Sequence, residues 1–208
     1  MSKAVLISIR PKWCKKIISG EKTVEIRKTA PRLKTPFKCY IYCTNGTGAN
    51  TLNIPINVER LLADCSINGM RSMNCQIGNS KVIGEFVCNE IQYADASCFV
   101  VKEDGEKALE GSCIDKADLF EYLRWNIGTP RAECAPFYRW QISDLKIYGI
   151  PLELDFFRKE CVNDINCESC AMYRNENGTC GNAALKLRRP PQSWCYVIQK
   201  GGICHAQD

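Results

Sequence analysis

Residues 20–28, "GEKTVEIRK", bring an ammonium (Lys22), a carboxylate (Glu25) and a guanidinium (Arg27) close together in the chain. The stretch alternates polar and apolar, which puts Thr23, Glu25 and Arg27 on one face of a strand and Val24 and Ile26 on the other, with Lys22 at the strand's mouth. Such a trio suits an anionic ligand. Lys22 and Arg27 can neutralise phosphate, Arg27 in bidentate fashion, while Glu25 accepts from a base amino group or orients Arg27. The same groups also suit proton transfer, with Lys22 as base or nucleophile and Glu25 passing the proton to a leaving amine. The plain alternative is a solvated ion pair worth about 0 to 1 kcal/mol. The one histidine, His205, lies near the end of the sequence, so any cleavage chemistry falls to Lys22 and Glu25.

A second constellation is made of thiols. Cys161, Cys167, Cys170 and Cys180 fall within "CVNDINCESCAMYRNENGTC", and Cys167 and Cys170 form a C-x-x-C pair. Four thiolates suit tetrahedral zinc, or an iron–sulfur cluster with Cys195 as a substitute fourth ligand; reduced, unliganded cysteine is the alternative. Around them the chain has little apolar matter, and a metal would supply the missing stability.

The elements that must position the charged trio are legible around it. "KAVLISI" reads as a buried strand. "RPKWCKKIISGEK" reads as a helix with Pro11 in its first turn, Trp13, Ile17 and Ile18 on its apolar stripe and Gly20 ending it. "FKCYIYCT" is a further strand, with Cys39, Ile41 and Cys43 on one face as small hydrophobes. Residues 45–80, rich in Asn and Gly around one possible helix, "NVERLLADC", read as an inserted loop or lid. "KVIGEFVCNEIQYA" returns to strand, with Gly84 at a bulge or corner. "DKADLFEYLRW" is a helix capped by Asp115, and "FYRWQISDLKIYGIPLEL" holds at least one strand. In that last segment Tyr138 and Trp140 share a face, as a stacking surface for bases or as core.

Few helices among many short strands give an α+β class, a small β-barrel flanked by helices over residues 1–154. Residues 155–208 read as a Cys-rich C-terminal extension. Within it "LRRPPQSWCYV" is stiffened by its Pro-Pro step, delivering Trp194 to the barrel as a latch while Arg188 and Arg189 extend a basic cleft.

Composition bounds the rest. At 208 residues, 45% hydrophobic and 25% charged, the chain has material for one full core, and it matches neither a disordered nor a fibrous class. Net charge is +5 and the pI about 8.5, a mild excess that permits a polyanionic partner without requiring one. The apolar run "AVLISI" is far shorter than a membrane span and no cleavage signal follows it, so the expectation is a cytoplasmic protein without a membrane partner. Fifteen cysteines, an odd number in such a chain, are expected to be mostly reduced.

"RPKWCKKIISGEKTVEIRK" resembles the opening of an ASCH domain, a member of the PUA-like superfamily, whose hallmark is a G-x-K-x-x-E-x-R segment after the first helix. Gly20, Lys22, Glu25 and Arg27 fill that pattern. The resemblance runs on through "KVIGEFVCNEI" and "FYRWQISDLKIYGIPLEL", and "RPPQSWCYV" is similar to tails of phage and prophage members. It implies a small barrel with a cleft beside the motif strand that binds RNA or a nucleotide-like ligand. Some ASCH-like proteins are amidohydrolases acting on an acetylated cytidine through a lysine, a threonine and a glutamate, and ribonuclease activity has been proposed for others. Lys22 matches the lysine, but the threonine position falls on Glu25, and Glu110 is only the nearest candidate for the remaining carboxylate. Three functions follow: an RNA- or modified-nucleoside-binding protein through Lys22, Glu25 and Arg27; a small hydrolase on the same residues; or a phage accessory factor contacting a protein through residues 45–80.

Overall fold

The computed structural model describes residues 3–55, 75–125, 134–161, 173–174, 179–180 and 182–198. In chain order the elements are β1 (Lys3–Ile9), α1 (Pro11–Ile18), β2 (Val24–Arg27), β3 (Phe37–Cys43), β4 (Asn53–Pro55), β5 (Cys75–Ile77), β6 (Lys81–Cys88) and β7 (Ile91–Ala94). They continue as α2 (Lys102–Leu109), α3 (Lys116–Leu123), β8 (Phe137–Gln141), β9 (Ser143–Leu152), β10 (Tyr173–Arg174), β11 (Thr179–Cys180) and β12 (Trp194–Ile198). The class is mixed α+β. Among the described residues no helix is long and apolar enough to cross a membrane.

The main sheet has the order β12-β1-β3-β6-β9, and β2-β8-β7 form a second sheet. β1 and β3 pair in parallel, which a hairpin cannot join; α1 and β2 supply the crossover. β1 is apolar nearly throughout because both of its faces are covered. Val5, Ile7 and Ile9 enter a core with α1, Cys39, Ile41, Phe86 and Trp140. Ala4 and Leu6 enter a second core with Tyr40, Val82, Tyr148, Leu154, Phe157, Leu187 and Val197. A third cluster, including Ile26, Leu119, Leu123, Trp125 and Phe137, seats α2 and α3 on the smaller sheet.

One expectation changes here. No closed barrel is present among the described residues, where the main sheet is open and ends at β12 and β9. One reason is local: the edge of β2 is occupied by Gly111, whose carbonyl accepts from Thr23 N at 2.8 Å and Val24 N at 2.9 Å, so β2 pairs with β8 and not with β1. The segment after residue 154, read from the sequence as a C-terminal extension, packs on the main sheet. Leu154, Phe157 and Leu187 cover the outer face of the main sheet, and β12 pairs antiparallel with β1, Ala4 opposite Val197. Within the stretch read as an inserted loop or lid, β4 and β5 pair and Leu52 and Ile54 lie in the main core. The helix expected at "NVERLLADC" lies outside the described residues.

Other expectations hold. Asp115 accepts from Asp118 N and caps α3. Gly84 sits at a register shift between β6 and β9, where a Cβ would strike the carbonyl oxygen of Lys146. Cys14, Cys39, Cys43 and Cys88 are buried, unbridged thiols. Burial is the largest cause that pushes up the thiols of Cys14, Cys39 and Cys88, the last to about 12.

Candidate functional site

Two local features deliver the charged trio. Pro11 opens α1, and after Ser19 the chain reverses at Gly20, whose φ of 78° is open to glycine at little cost. Lys22 N then donates to Lys16 O at 2.9 Å, and β2 starts alongside β8 with Glu25 opposite Trp140 and Arg27 opposite Tyr138. Glu25 and Arg27 therefore share one face of β2, as the alternation predicts.

That face is not solvated. The side chains of Lys22, Glu25 and Arg27 are 4%, 7% and 8% exposed. Glu25 sits between the two cations as their shared counter-charge: its Oε1 lies 3.0 Å from Arg27 Nη2 and its Oε2 3.3 Å from Lys22 Nζ, both ion-pair contacts. Lys22 Nζ also donates to Val24 O at 2.7 Å and Ser112 O at 2.6 Å. Arg27 Nη2 donates to Ser8 O at 2.6 Å, and Nη1 reaches Ser193 Oγ at 3.5 Å. These carbonyls offset the cost of burying charge, which a bare ion pair would leave uncompensated. The partners in Ser8, Ser112 and Ser193 also belong to three different segments: Ser8 lies in β1, Ser112 precedes α3 and Ser193 precedes β12. The trio ties together the walls of a cleft.

The cleft has a volume of about 860 Å³, within the range of small-molecule sites. Its lining holds six cationic side chains, Arg10, Lys12, Lys22, Arg27, Lys28 and Arg124, against three carboxylates, Glu25, Asp118 and Glu121. Lys12 Nζ lies 3.6 Å from Asp118 Oδ2 and joins α1 to α3. Two aromatic rings also line it. Trp13 has Lys12 Nζ at 4.4 Å and Lys22 Nζ at 5.3 Å from its ring centroid, and Tyr122 has Lys28 Nζ at 5.0 Å. Burial, the largest cause, pushes the Tyr122 phenol up. The fourth wall is a strap formed by residues 190–193. Ser8 N donates to Ser193 O at 2.9 Å and Ser8 Oγ to Pro191 O at 2.7 Å. Trp194 then docks as a latch, its Nε1 donating to Thr29 Oγ1 at 3.0 Å and its ring 6.0 Å from that of Trp140.

Not every expected site residue is here. Trp140 is fully buried between Phe37 and Trp194, and Tyr138 packs on the same core with its ring edge-on to Tyr93, so neither lines the cleft. The reason is packing: the face of β8 that bears both rings lies against the main core. Glu110 caps α2, with its carbonyl accepting from Arg139, and is not a cleft residue. Arg188 and Arg189 are exposed just ahead of the strap. Of the thiols, Cys161 is half-buried, Cys195 lies on β12 with its pKa raised chiefly by burial, and Cys180 is described by its backbone in β11. Cys167 and Cys170 lie outside the described residues, so the metal tetrad remains an expectation of the sequence. What sequence reading misses is the rim: Arg10, Lys12, Lys28, Arg124, and above all Trp13, which also fits the apolar stripe of α1. Its neighbours Lys12 and Arg10, immediately beside Pro11, were the available signal.

No protein-family model and no curated protein matches the chain. Solved structures do. The crystal structure of ASCH from Zymomonas mobilis superposes with a TM-score of 0.50 at 16% identity, covering 95% of this chain and 88% of that one. Two point mutants of that protein give TM-scores of 0.50 and 0.51 at 16% and 15% identity, covering 96% and 95% of this chain and 92% and 89% of theirs. The fold is ASCH-type. The ASCH-type fold thus extends past the motif segment to the C-terminal strap and β12, which complete the cleft and the main sheet.

Proposed function

We propose that the cleft binds RNA or a nucleotide-like ligand such as a modified nucleoside. The observation that carries this reading is the buried Lys22–Glu25–Arg27 network at the base of a cleft lined by Arg10, Lys12, Lys28 and Arg124. The division of labour follows from which donors are already committed. Lys22 directs hydrogens to two carbonyls and faces the Glu25 carboxylate as an ion pair, and Arg27 Nη2 is held by Ser8 O and Glu25. The trio supplies positive potential and fixes the walls, while the cations of the rim meet phosphate. A sheltered cleft strengthens these contacts relative to a flat surface, where water and salt screen them.

The test is a titration of short single-stranded RNAs and modified nucleosides at two salt concentrations, with wild type and an Arg10→Ala, Lys28→Ala double variant. Affinity should fall steeply with salt, and the variant should bind more weakly and with a shallower salt slope. Equal affinity of both proteins for every ligand would remove the assignment. Binding of a protein partner that salt barely alters would favour an interaction module instead. Turnover of an acetylated cytidine that Lys22→Met abolishes would replace binding by hydrolysis.

A further inference from the structure

We propose that Trp13 is the stacking platform of the cleft, so that the preferred ligand carries a planar base beside its phosphate and a bare phosphate or sugar phosphate is a poor substitute. The inference rests on the nucleotide reading above. It assigns to Trp13 the role expected of Tyr138 and Trp140.

Of the four tryptophans, Trp13 alone lines the cleft. Trp140 and Trp125 are buried, and Trp194 is tied to Thr29. Trp13 is held rigidly: it follows Pro11 in the first turn of α1, its N donates to Arg10 O at 2.9 Å, and part of its ring packs on the main core. The rest of the indole is accessible. Indole offers the largest aromatic face of any side chain, and stacking on it tolerates any base.

The two ammonium groups over the ring differ in kind. Lys22 is 4% exposed and fixed by Val24 O, Ser112 O and Glu25, so its contact with the ring is permanent. The Lys12 side chain is 52% exposed and is held by the ring and by Asp118 at 3.6 Å. A cation–π contact at an exposed site is weak, and a base can take its place on the ring. Lys12 is then released beside the ligand, where its ammonium can meet phosphate. Base and phosphate are thus recognised by neighbours in sequence, Trp13 and Lys12.

The experiment uses the full chain and two labelled probes of equal charge, a single-stranded adenosine hexaribonucleotide and its abasic counterpart, read by fluorescence anisotropy. Wild type should prefer the base-bearing probe by about tenfold or more. Trp13→Phe should keep most of that preference. Trp13→Leu, which retains apolar bulk against the core, should bind both probes alike, at the wild-type affinity for the abasic one. Equal binding of the two probes by wild type would overturn the proposal without any variant, as would a preference that survives in Trp13→Leu. Salt-sensitive binding without base preference removes only the platform. Absence of binding to either probe removes the nucleic-acid reading as well.

Discussion

Glu25→Gln is the sharpest test of the buried network. The substitution keeps shape and removes one negative charge, leaving two cations, 4% and 8% exposed, without a counter-charge. Their carbonyl partners, Val24 O, Ser112 O and Ser8 O, remain, so the loss is that of the central carboxylate and not of the hydrogen-bonded frame. Removing one member of a buried ion pair costs about 3–5 kcal/mol. In a chain of this size each kcal/mol moves the melting temperature by about 2–4 °C, so the expected drop is about 6–20 °C. Thermal unfolding followed by circular dichroism reads it directly. Added salt should restore little, because the groups are shielded from the ions that would screen them. Glu21→Gln, which breaks the solvent-exposed pair with Lys16, is the matched control and should leave the melting temperature where it was. A Glu25→Gln protein that melts within about 2 °C of wild type, or that recovers fully in high salt, would refute the claim that the trio is a buried structural tie.

Truncation after residue 160 should abolish cooperative unfolding, because it strips β12 from β1 and uncovers the outer face of the main sheet; a chain that still unfolds cooperatively would restore the separate-domain reading. Gly84→Val should destabilise by roughly 1–3 kcal/mol in urea unfolding, since its Cβ would strike the β9 backbone at Lys146 O and Ile147 Cα and crowd Ile147 Cδ1. Stability should fall as the pH rises from about 9 to about 12. In the folded state the Cys88 thiol is pushed up to about 12 from 9.0, so over that window the unfolded chain binds fewer protons. The contribution is complete below the unfolded value and is lost on approaching the folded one. Urea midpoints at about pH 8 and about pH 10.5 measure the slope, which Cys88→Ala should make shallower; rising stability would contradict the sign.

The part of the site that is local in sequence was legible in sequence. Pro11, Gly20 and the alternation of residues 23–27 specify a helix, a reversal and a strand, each by steric or periodic rules that need no distant partner. Asp115 and Gly84 were legible for the same reason. What eluded reading depends on contacts far apart in the chain. The acceptors that hold Lys22 and Arg27 are Ser112 and Ser8, and nothing in a serine's identity announces that its carbonyl will face a cation. Tyr138 and Trp140 alternate as a surface pair would, but their face of β8 packs against the main core, an arrangement set by residues distant in sequence. Trp13 fits the apolar stripe of α1 equally well whether a strap and a third helix leave its ring open or closed, and only the tertiary arrangement shows that they leave it open. In the C-terminal segment the Pro-Pro step announces the docking of Trp194, but without sustained periodicity nothing local shows that the next residues pair with β1 as a strand of the main sheet.

The pairing of β1 with β12 also sets the order of events as the chain is made. Val5 is synthesised early, and its partner Tyr196 almost two hundred residues later. Until then an apolar strand waits with one edge unsatisfied, which favours slow assembly and exposes the nascent chain to mispairing. The strap follows the same schedule: Pro191 and Ser193 reach Ser8 only when β12 is about to dock. The cleft is therefore finished together with the sheet, and a half-made chain has neither.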